Sequence, residues 1–342
     1  MVRIQLKQIA QEAQVSTTLV SQVLNKRDVR VAAETKERIL RIAERYHYLP
    51  NRLAAGLKLK RTNTIAVLVP FTSAGFFSEL IYHIEAYAME RGFNSLVINT
   101  FGERDKETKG LQLYKSQLAD GFLVAPQNAQ QHQPLFDQLQ ADQFPFVFVD
   151  RFVDNVSATT VSSDHFSVAC DLTQQLINKG HQNILFVRRL NEPENSTIRS
   201  RMDGYKKTME SCGLAAKFGG FIFDGDTLSN LNERLFGFPR NGAQPDAIFL
   251  ASGFYMPLLL RLCSQLSYSI ENIDFATVDW FMFPADFLKE RDILGRIDGN
   301  LHLVVQNTAR IAKQAMDILI DLIDGKEDSK EQKHIPVAWS QL

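Results

Sequence analysis

Cysteine is scarce in this 342-residue chain. Cys170, Cys212 and Cys263 are odd in number, far apart and form no CxxC pair. That pattern argues against a disulfide framework or a structural zinc site. No apolar run approaches the roughly 18–20 residues needed to cross a bilayer. The opening stretch MVRIQLKQIAQEAQ is polar and has no apolar core of a secretory signal. A cytoplasmic protein with no membrane partner is therefore expected, and the acceptor triplets at Asn155 and Asn195 are read as chance. Enzyme signatures are missing too: no GxxxxGK[ST] loop, no GxGxxG after a strand and no GxSxG elbow. The seven histidines are scattered without HxxxH spacing, which leaves a metal site unsupported. No catalytic residue, cofactor or metal is expected.

What is present is ordinary core material, 45% hydrophobic and 23% charged. At roughly 150 residues per domain, that length implies two or three domains. The net charge of −1 conceals an asymmetry. Residues 1–62 hold 13 Lys+Arg and 5 Asp+Glu, a net of +8, so the remainder holds 25 and 34, a net of −9. A basic block ahead of an acidic body is the footprint of a nucleic-acid-binding head. A merely solvated basic surface would look the same by charge alone.

Local patterning sharpens the reading. Leu6, Ile9, Ala10 and Ala13 recur at i, i+3, i+4, i+7, one apolar face of a short helix. Gln14-Val15-Ser16 interrupts it, Ser16 can cap a second helix, and Thr17 to Leu24 supplies that helix. Val20, Val23 and Leu24 face inward, leaving Thr17, Thr18, Ser21 and Gln22 outward. A third helix from Glu34 to Tyr46 places Ile39, Ile42, Ala43 and Tyr46 inward. Two short helices around a tight turn make a helix-turn-helix, whose second helix enters the major groove.

With Val15-Ser16, Val20-Ser21, Val23-Leu24-Asn25, Thr35, Tyr48 and Pro50-Asn51 at their spacing, the segment resembles the head of the lactose-repressor (LacI/GalR-type) transcription regulators. The resemblance runs through almost the whole chain. It implies contacts to double-stranded operator DNA from Ser16, Thr17, Thr18, Ser21, Gln22, Asn25 and Asn51, and a hinge leucine, Leu57, wedged into the minor groove. Departures stand at Gln5, Gln14, Gln22 and Ala55, where the family often has threonine, glycine, arginine and arginine. Gln prefers adenine where Arg reads guanine, so the half-site should differ at the base pair facing Gln22.

From Thr64 strands and helices alternate. Strands are expected at Ile65–Pro70, Ser95–Asn99, Gly121–Ala125, Phe146–Asp150, Ile184–Val187, Gly220–Phe223, Ala247–Leu250 and Phe275–Val278. Helices are expected at Phe77–Arg91, Leu111–Leu118, near Leu135–Gln140, Phe166–Lys179, Ile198–Cys212, Asn230–Phe236 and Tyr255–Leu266, with a final amphipathic one from Gln306 to Ile323. Such alternation implies parallel sheets with ligands at the carboxyl ends of strands. The pattern falls into halves near Val161–Asp164. The resemblance implies an all-α head plus an α/β body of two lobes like a periplasmic sugar-binding protein. Domains are expected at 1–50 (head), 51–63 (hinge) and 64–342 (body). The lobes are about 64–161 with the final helix, and 162–300. After Gly325 the tail reads as short and charged, without the terminal heptad helix of tetrameric members, so a homodimer on a pseudo-palindromic site is expected.

By the same resemblance Arg201 aligns with an effector-contacting arginine, Asp150 and Asp279 with strand-end aspartates, and Phe76 with an aromatic that packs on the ligand. Each has a plainer alternative: a salt-bridged helix start, a turn cap, core packing. Ala251-Ser252-Gly253 stands where the family usually shows Asn-Asp. Arg188, Arg189 and Arg199 near one strand end would suit a phosphate. The expected function is an effector-controlled transcriptional regulator, a repressor of carbohydrate genes answering to a sugar or sugar phosphate. The competing reading is a sugar-binding protein of transport type.

Overall fold

The structure is a computed structural model that describes residues 5–24, 29–46, 48, 61–72, 75–127, 129–190, 195–221, 245–257, 259–260, 272–279, 299–326 and 330–341. The chain divides into two compact units, Met1–Thr62 and Asn63–Leu342.

In the first unit, α1 spans Leu6–Glu12, α2 Thr17–Leu24 and α3 Ala33–Arg45. Ile9, Ala10, Ala13, Val20, Val23, Ile39, Ile42 and Ala43 form its buried core, the set that helical periodicity picks out. The hydroxyl of Ser16 accepts from the Leu19 amide at 3.2 Å, capping α2 as expected. Gln14 takes a left-handed backbone, φ 54°, in the turn. Tyr46 corrects the inward assignment: α3 ends at Arg45, and the ring is 39% exposed beyond the last helical turn.

The second unit holds two sheets. The first has strands β1 (Thr64–Val69), β2 (Asn94–Asn99), β3 (Gly121–Val124), β4 (Phe146–Val149), β5 (Thr160–Ser162) and β11 (Gln332–His334), in the order β11-β5-β4-β3-β1-β2, all parallel. The second has β6 (Ile184–Arg189), β7 (Lys217–Phe221), β8 (Ala247–Leu250), β9 (Asp274–Val278), β10 (Leu301–Val305) and β12 (Ala338–Gln341). Its order is β12-β10-β9-β8-β6-β7, and only β12 runs antiparallel to its neighbour. The first five strands of each lobe therefore repeat one winding. Near-continuous apolar strands such as Phe146-Val-Phe-Val149, buried on both faces, are what parallel sheets covered by helices require.

Helices α4 (Phe76–Glu90), α5 (Arg104–Gln112) and α6 (Ala129–Ala141) belong to the first lobe. Helices α7 (His165–Asn178) and α8 (Ser196–Ser211) pack on each other in the second. The final helix, α9 (Thr308–Ile323), returns to the first lobe. Its Ile311, Ala315, Met316 and Leu319 share a core with Phe77, Leu80 and Ile84 of α4.

Several expectations are corrected. The helix expected over Leu111–Leu118 is Arg104–Gln112, followed by a 3-10 turn at Leu113–Ser116. Its first six residues are polar and carry no apolar period, while Asp105 and Glu107 in the first turn and Lys109 in the last complement the helix dipole. The helix near Leu135–Gln140 is longer, Ala129–Ala141, and the strand at Gly220–Phe223 is Lys217–Phe221. Gln306 lies outside the final helix, which is capped by Asn307. The tail is not a bare charged end, since it supplies β11 to one sheet and β12 to the other, and the second lobe runs beyond residue 300. The helix expected at Asn230–Phe236 lies outside the described residues, as does most of that expected at Tyr255–Leu266.

Candidate functional site

The carboxyl ends of the strands in both lobes face one cleft, with roughly 600 Å³ of empty space that is partly open to solvent. From the first lobe come Phe71, Phe76, Phe77, Asp150 and Arg151. From the second come Asn195, Thr197, Ile198, Arg201, Ser252, Phe254, Tyr255 and Asp279, with Gln306 from the crossing segment after β10. Phe76, Asp150, Arg201 and Asp279, the four residues expected to hold effector, thus share one cavity.

The polar groups are deeply buried and mutually held. Asp150, Arg201, Asp279 and His165 are each no more than 6% exposed. Asp150 Oδ1 lies 3.2 Å from His165 Nε2, and His165 Nδ1 lies 3.2 Å from a terminal nitrogen of Arg201. The other terminal nitrogen of Arg201 donates to the Ala251 carbonyl at 2.7 Å. Asp279 accepts from the Gln306 amide at 2.9 Å and from its side chain at 2.7 Å. Arg151 donates to the Gln127 side chain and lies over the Phe77 ring at 5.2 Å. Across the mouth, Phe71 and Phe254 stack with centroids 6.0 Å apart and planes 14° from parallel.

These contacts set the charge states. Burial acts most strongly on Asp150 and raises it, but the His165 hydrogen bond and the cations Arg151 and Arg201 outweigh burial and hold it below the usual carboxylate range. Asp279 goes the other way. Burial pushes it up to about 6, against the pull of Arg201 and the Gln306 hydrogen bonds. Burial and the Arg201 charge depress His165.

Among the described residues, Arg201 Nε, Arg151 Nε, Asn195 Nδ2 and Gln306 Oε1 are buried without a hydrogen-bond partner. All four residues line the cleft. Unsatisfied buried polar atoms are costly, so they read as contacts awaiting a polar ligand. Of them, Asn195 and Gln306 were not singled out from sequence, nor were Phe71, Phe77 and Phe254. Arg151 stands beside Asp150 at a strand end that the sequence marks, and Gln306 follows β10, a strand absent from the expected set. By contrast, Arg188 lines a separate pocket with Leu190 and Phe218, and Arg199 pairs with Asp154 at 2.8 Å. Neither these nor Arg189 lines the cleft. Among the described residues, no cluster of His, Cys, Asp and Glu could hold a metal ion, and no helix is long and apolar enough to cross a membrane.

In the head, Ser16, Thr17 and Thr18 are exposed at the start of α2, and Ser21 and Gln22 are half-buried on the next turn. Asn25, Asn51 and Leu57 lie outside the described residues.

A helix-turn-helix unit joined in one chain to a two-lobed binding domain defines a class: regulators that pair a DNA-reading head with a ligand cleft. Comparison with known proteins agrees. Residues 5–51 match the bacterial regulatory proteins of the lacI family, and residues 62–220 match the periplasmic binding proteins and sugar-binding domain of the same family. Catabolite control protein A of Priestia megaterium is 30% identical over 246 residues, 71% of this chain and 72% of that protein. The sucrose operon repressor of Klebsiella pneumoniae is 27% identical over 98% of this chain and 96% of its own. The lac repressor dimer bound to operator and an anti-inducer superposes with a TM-score of 0.76 at 19% identity, covering 98% of this chain and 97% of that one. The chain belongs to the LacI family of DNA-binding transcriptional regulators, and its body is that family's sugar-binding domain.

Proposed function

We propose that this regulator is a cytoplasmic homodimeric repressor of carbohydrate genes, released from or held on its operator by a neutral free sugar in the cleft. The chain would act without enzymatic turnover. The observation that carries the ligand reading is the balance of charge. Asp150 and Asp279 are matched by Arg151 and Arg201, and beside the aromatic faces three further buried polar atoms, Arg201 Nε, Asn195 Nδ2 and Gln306 Oε1, have no hydrogen-bond partner among the described residues. Sugar hydroxyls can both donate and accept, so they satisfy such a mixed set, and ring C–H faces pack on Phe76 and Phe77. A phosphate would need surplus cations. The arginines expected for that task, Arg188, Arg189 and Arg199, are not cleft residues. A free sugar is therefore favoured over a sugar phosphate.

Residues 1–50 would read DNA, 51–63 would serve as the hinge and 64–342 would bind effector and dimerise. A twofold dimer would set two α2 helices on a pseudo-palindromic site. Ser16, Thr17, Thr18, Ser21, Gln22, Asn25 and Asn51 would contact DNA, with Leu57 wedged into the minor groove. Phe76, Asp150, Arg201 and Asp279 would hold effector, joined by Arg151, Asn195 and Gln306. Operator and effector must then alter each other's affinity by one common factor.

Isothermal titration of the full-length protein with D-ribose, D-xylulose, cellobiose and sucrose, each against its phosphorylated counterpart where one exists, tests the ligand class. Binding of a free sugar is expected. Binding confined to phosphorylated forms overturns it. A gel shift against the DNA upstream of its own gene, with and without the binding sugar, tests the coupling and separates this reading from a transport role.

A further inference from the structure

His165 is the first residue of α7, whose cap is Asp164. The sequence offers no reason to single it out. Yet its ring lies between the strand-end carboxylate of the first lobe and the helix-borne arginine of the second, 3.2 Å from each. Both neighbours constrain its protons. A guanidinium can only donate, so Nδ1, facing Arg201, must be the bare acceptor nitrogen. An ionised carboxylate can only accept, so Nε2, facing Asp150, must carry the hydrogen. Only the neutral Nε2–H tautomer satisfies both contacts. A second proton would set an N–H against an N–H and a cation against Arg201.

We propose that His165, in its neutral Nε2–H form, is the positioning residue that locks Asp150 of one lobe to Arg201 of the other, so that protonating this ring breaks the lock and weakens ligand binding. The ligand half of the proposal rests on reading the cleft as a sugar site.

The surroundings support the lock. The chain of contacts continues from Arg201 to the Ala251 carbonyl at the end of β8. It also continues from Asp150 to the Thr197 hydroxyl, 3.4 Å from Oδ2 at the start of α8. Asp164, the other carboxylate near the ring, is already occupied by the amide and hydroxyl of Ser167, at 3.0 and 2.7 Å. Arg151 and Asp279 act on Asp150 and Arg201, and His334 of β11 acts on Asp164. Burial first and the charge of Arg201 second hold the ring neutral below its ordinary titration range. Arg201 cannot keep its place while it faces a second cation at this distance with no acceptor between them. A ligand that needs Arg201 in place therefore binds in competition with the proton. By linkage, the ligand must also make the ring harder to protonate.

Two measurements on the full-length protein test this. The first is nitrogen NMR of the histidine rings, with the His165 signals assigned by their loss in His165→Asn. An unprotonated Nδ1 and a protonated Nε2 that persist down to about pH 5.5 are expected. An imidazolium at about pH 6.5, or the opposite tautomer, overturns the proposal. The second is titration with whichever of D-ribose, D-xylulose, cellobiose and sucrose binds. Affinity should fall by about threefold or more from about pH 7.5 to about pH 4.5. His165→Asn keeps an amide oxygen for Arg201 and cannot titrate. It cannot reach Asp150, so it should bind the sugar more weakly than the parent at about pH 7.5, and it should lose the part of the acid sensitivity that appears below about pH 5.5, the part centred near pH 6 belonging to Asp279. Equal acid sensitivity in parent and variant overturns the proposal. If none of the four sugars binds, the sugar reading falls separately, and the ring nitrogens still decide whether His165 is the lock.

Discussion

Asp150 and Asp279 are counterparts in two copies of one winding. Each follows the fourth strand of its lobe, and each has a left-handed backbone, with φ 63° and 59°. That conformation is uncommon for a residue with a side chain, and aspartate tolerates it better than most. It turns both carboxylates into the same cleft. Their partners then drive them apart: Asp150 is held ionised by His165 and two arginines, while burial lifts Asp279 to about 6.

Asp279 therefore stores instability. Its carboxyl has a higher affinity for protons in the folded chain than in the unfolded one. The stability this contributes is complete below the unfolded value of 3.8 and is lost as pH rises through about 6. Asp279→Asn removes that loss. Its effector domain should be more stable than the parent by about 2 kcal/mol at neutral pH and nearly equal to it at about pH 4. A flip of the Gln306 amide would let its unpaired Oε1 accept from the new side chain. Urea unfolding at the two pH values measures this, and sugar binding should fall in the same variant.

Gly204 governs where Arg201 sits. A Cβ at Gly204 would lie 2.4 Å from the Phe166 carbonyl and 3.0 Å from the Ala169 Cβ, both on α7. Backbone cannot yield as a side-chain tip can. Gly204→Ala should force α8 off α7, costing about 2 kcal/mol of stability. Sugar affinity should drop by about tenfold or more, because Arg201 rides on the displaced helix. Calorimetric unfolding and sugar titration give the two numbers. Lost stability with intact affinity would show that α8 does not position the cleft.

In the head, Gln14 occupies the left-handed turn position with a side chain that gains nothing from it. Gln14→Gly should stabilise the head by about 1 kcal/mol, as relief of backbone strain outweighs the added freedom of the unfolded chain. Thermal melts of the parent and variant, followed at head amide signals, check the sign.

The proposed base contact of Gln22 can be tested directly. Selection from random duplexes should return adenine at the base pair facing Gln22, and Gln22→Arg should move the preference to guanine. Binding by both forms should weaken steeply with salt, because the +8 head displaces counterions from phosphate. Recovery of guanine by the parent would remove Gln22 from base reading.

Much of this was legible in one dimension. The three head helices and the change to alternating strands at Thr64 follow from local rules: helical period, cap chemistry and apolar strand runs; the two strand-end aspartates of the cleft, Asp150 and Asp279, were marked by the family resemblance. Legibility failed where local rules are silent. Helix α5 is solvated and polar, so no period marks it. The tail strands β11 and β12 are short and become strands only because a sheet edge is there to receive them. Gln306 looked like the start of a helix until β10 placed it at a strand end.

Sequence by itself determined the order of the parts: a cationic helical head, a connecting segment and a doubled α/β body, because each is written in the spacing of neighbouring residues. Tertiary structure alone decided the site. Asp150, His165, Arg201, Asp279 and Gln306 are separated by up to 156 positions along the chain, and they meet only because the chain crosses repeatedly between two sheets whose carboxyl ends face each other. Charge states and tautomers depend on burial and on which groups end up within hydrogen-bonding distance. Neither quantity exists until the chain has folded.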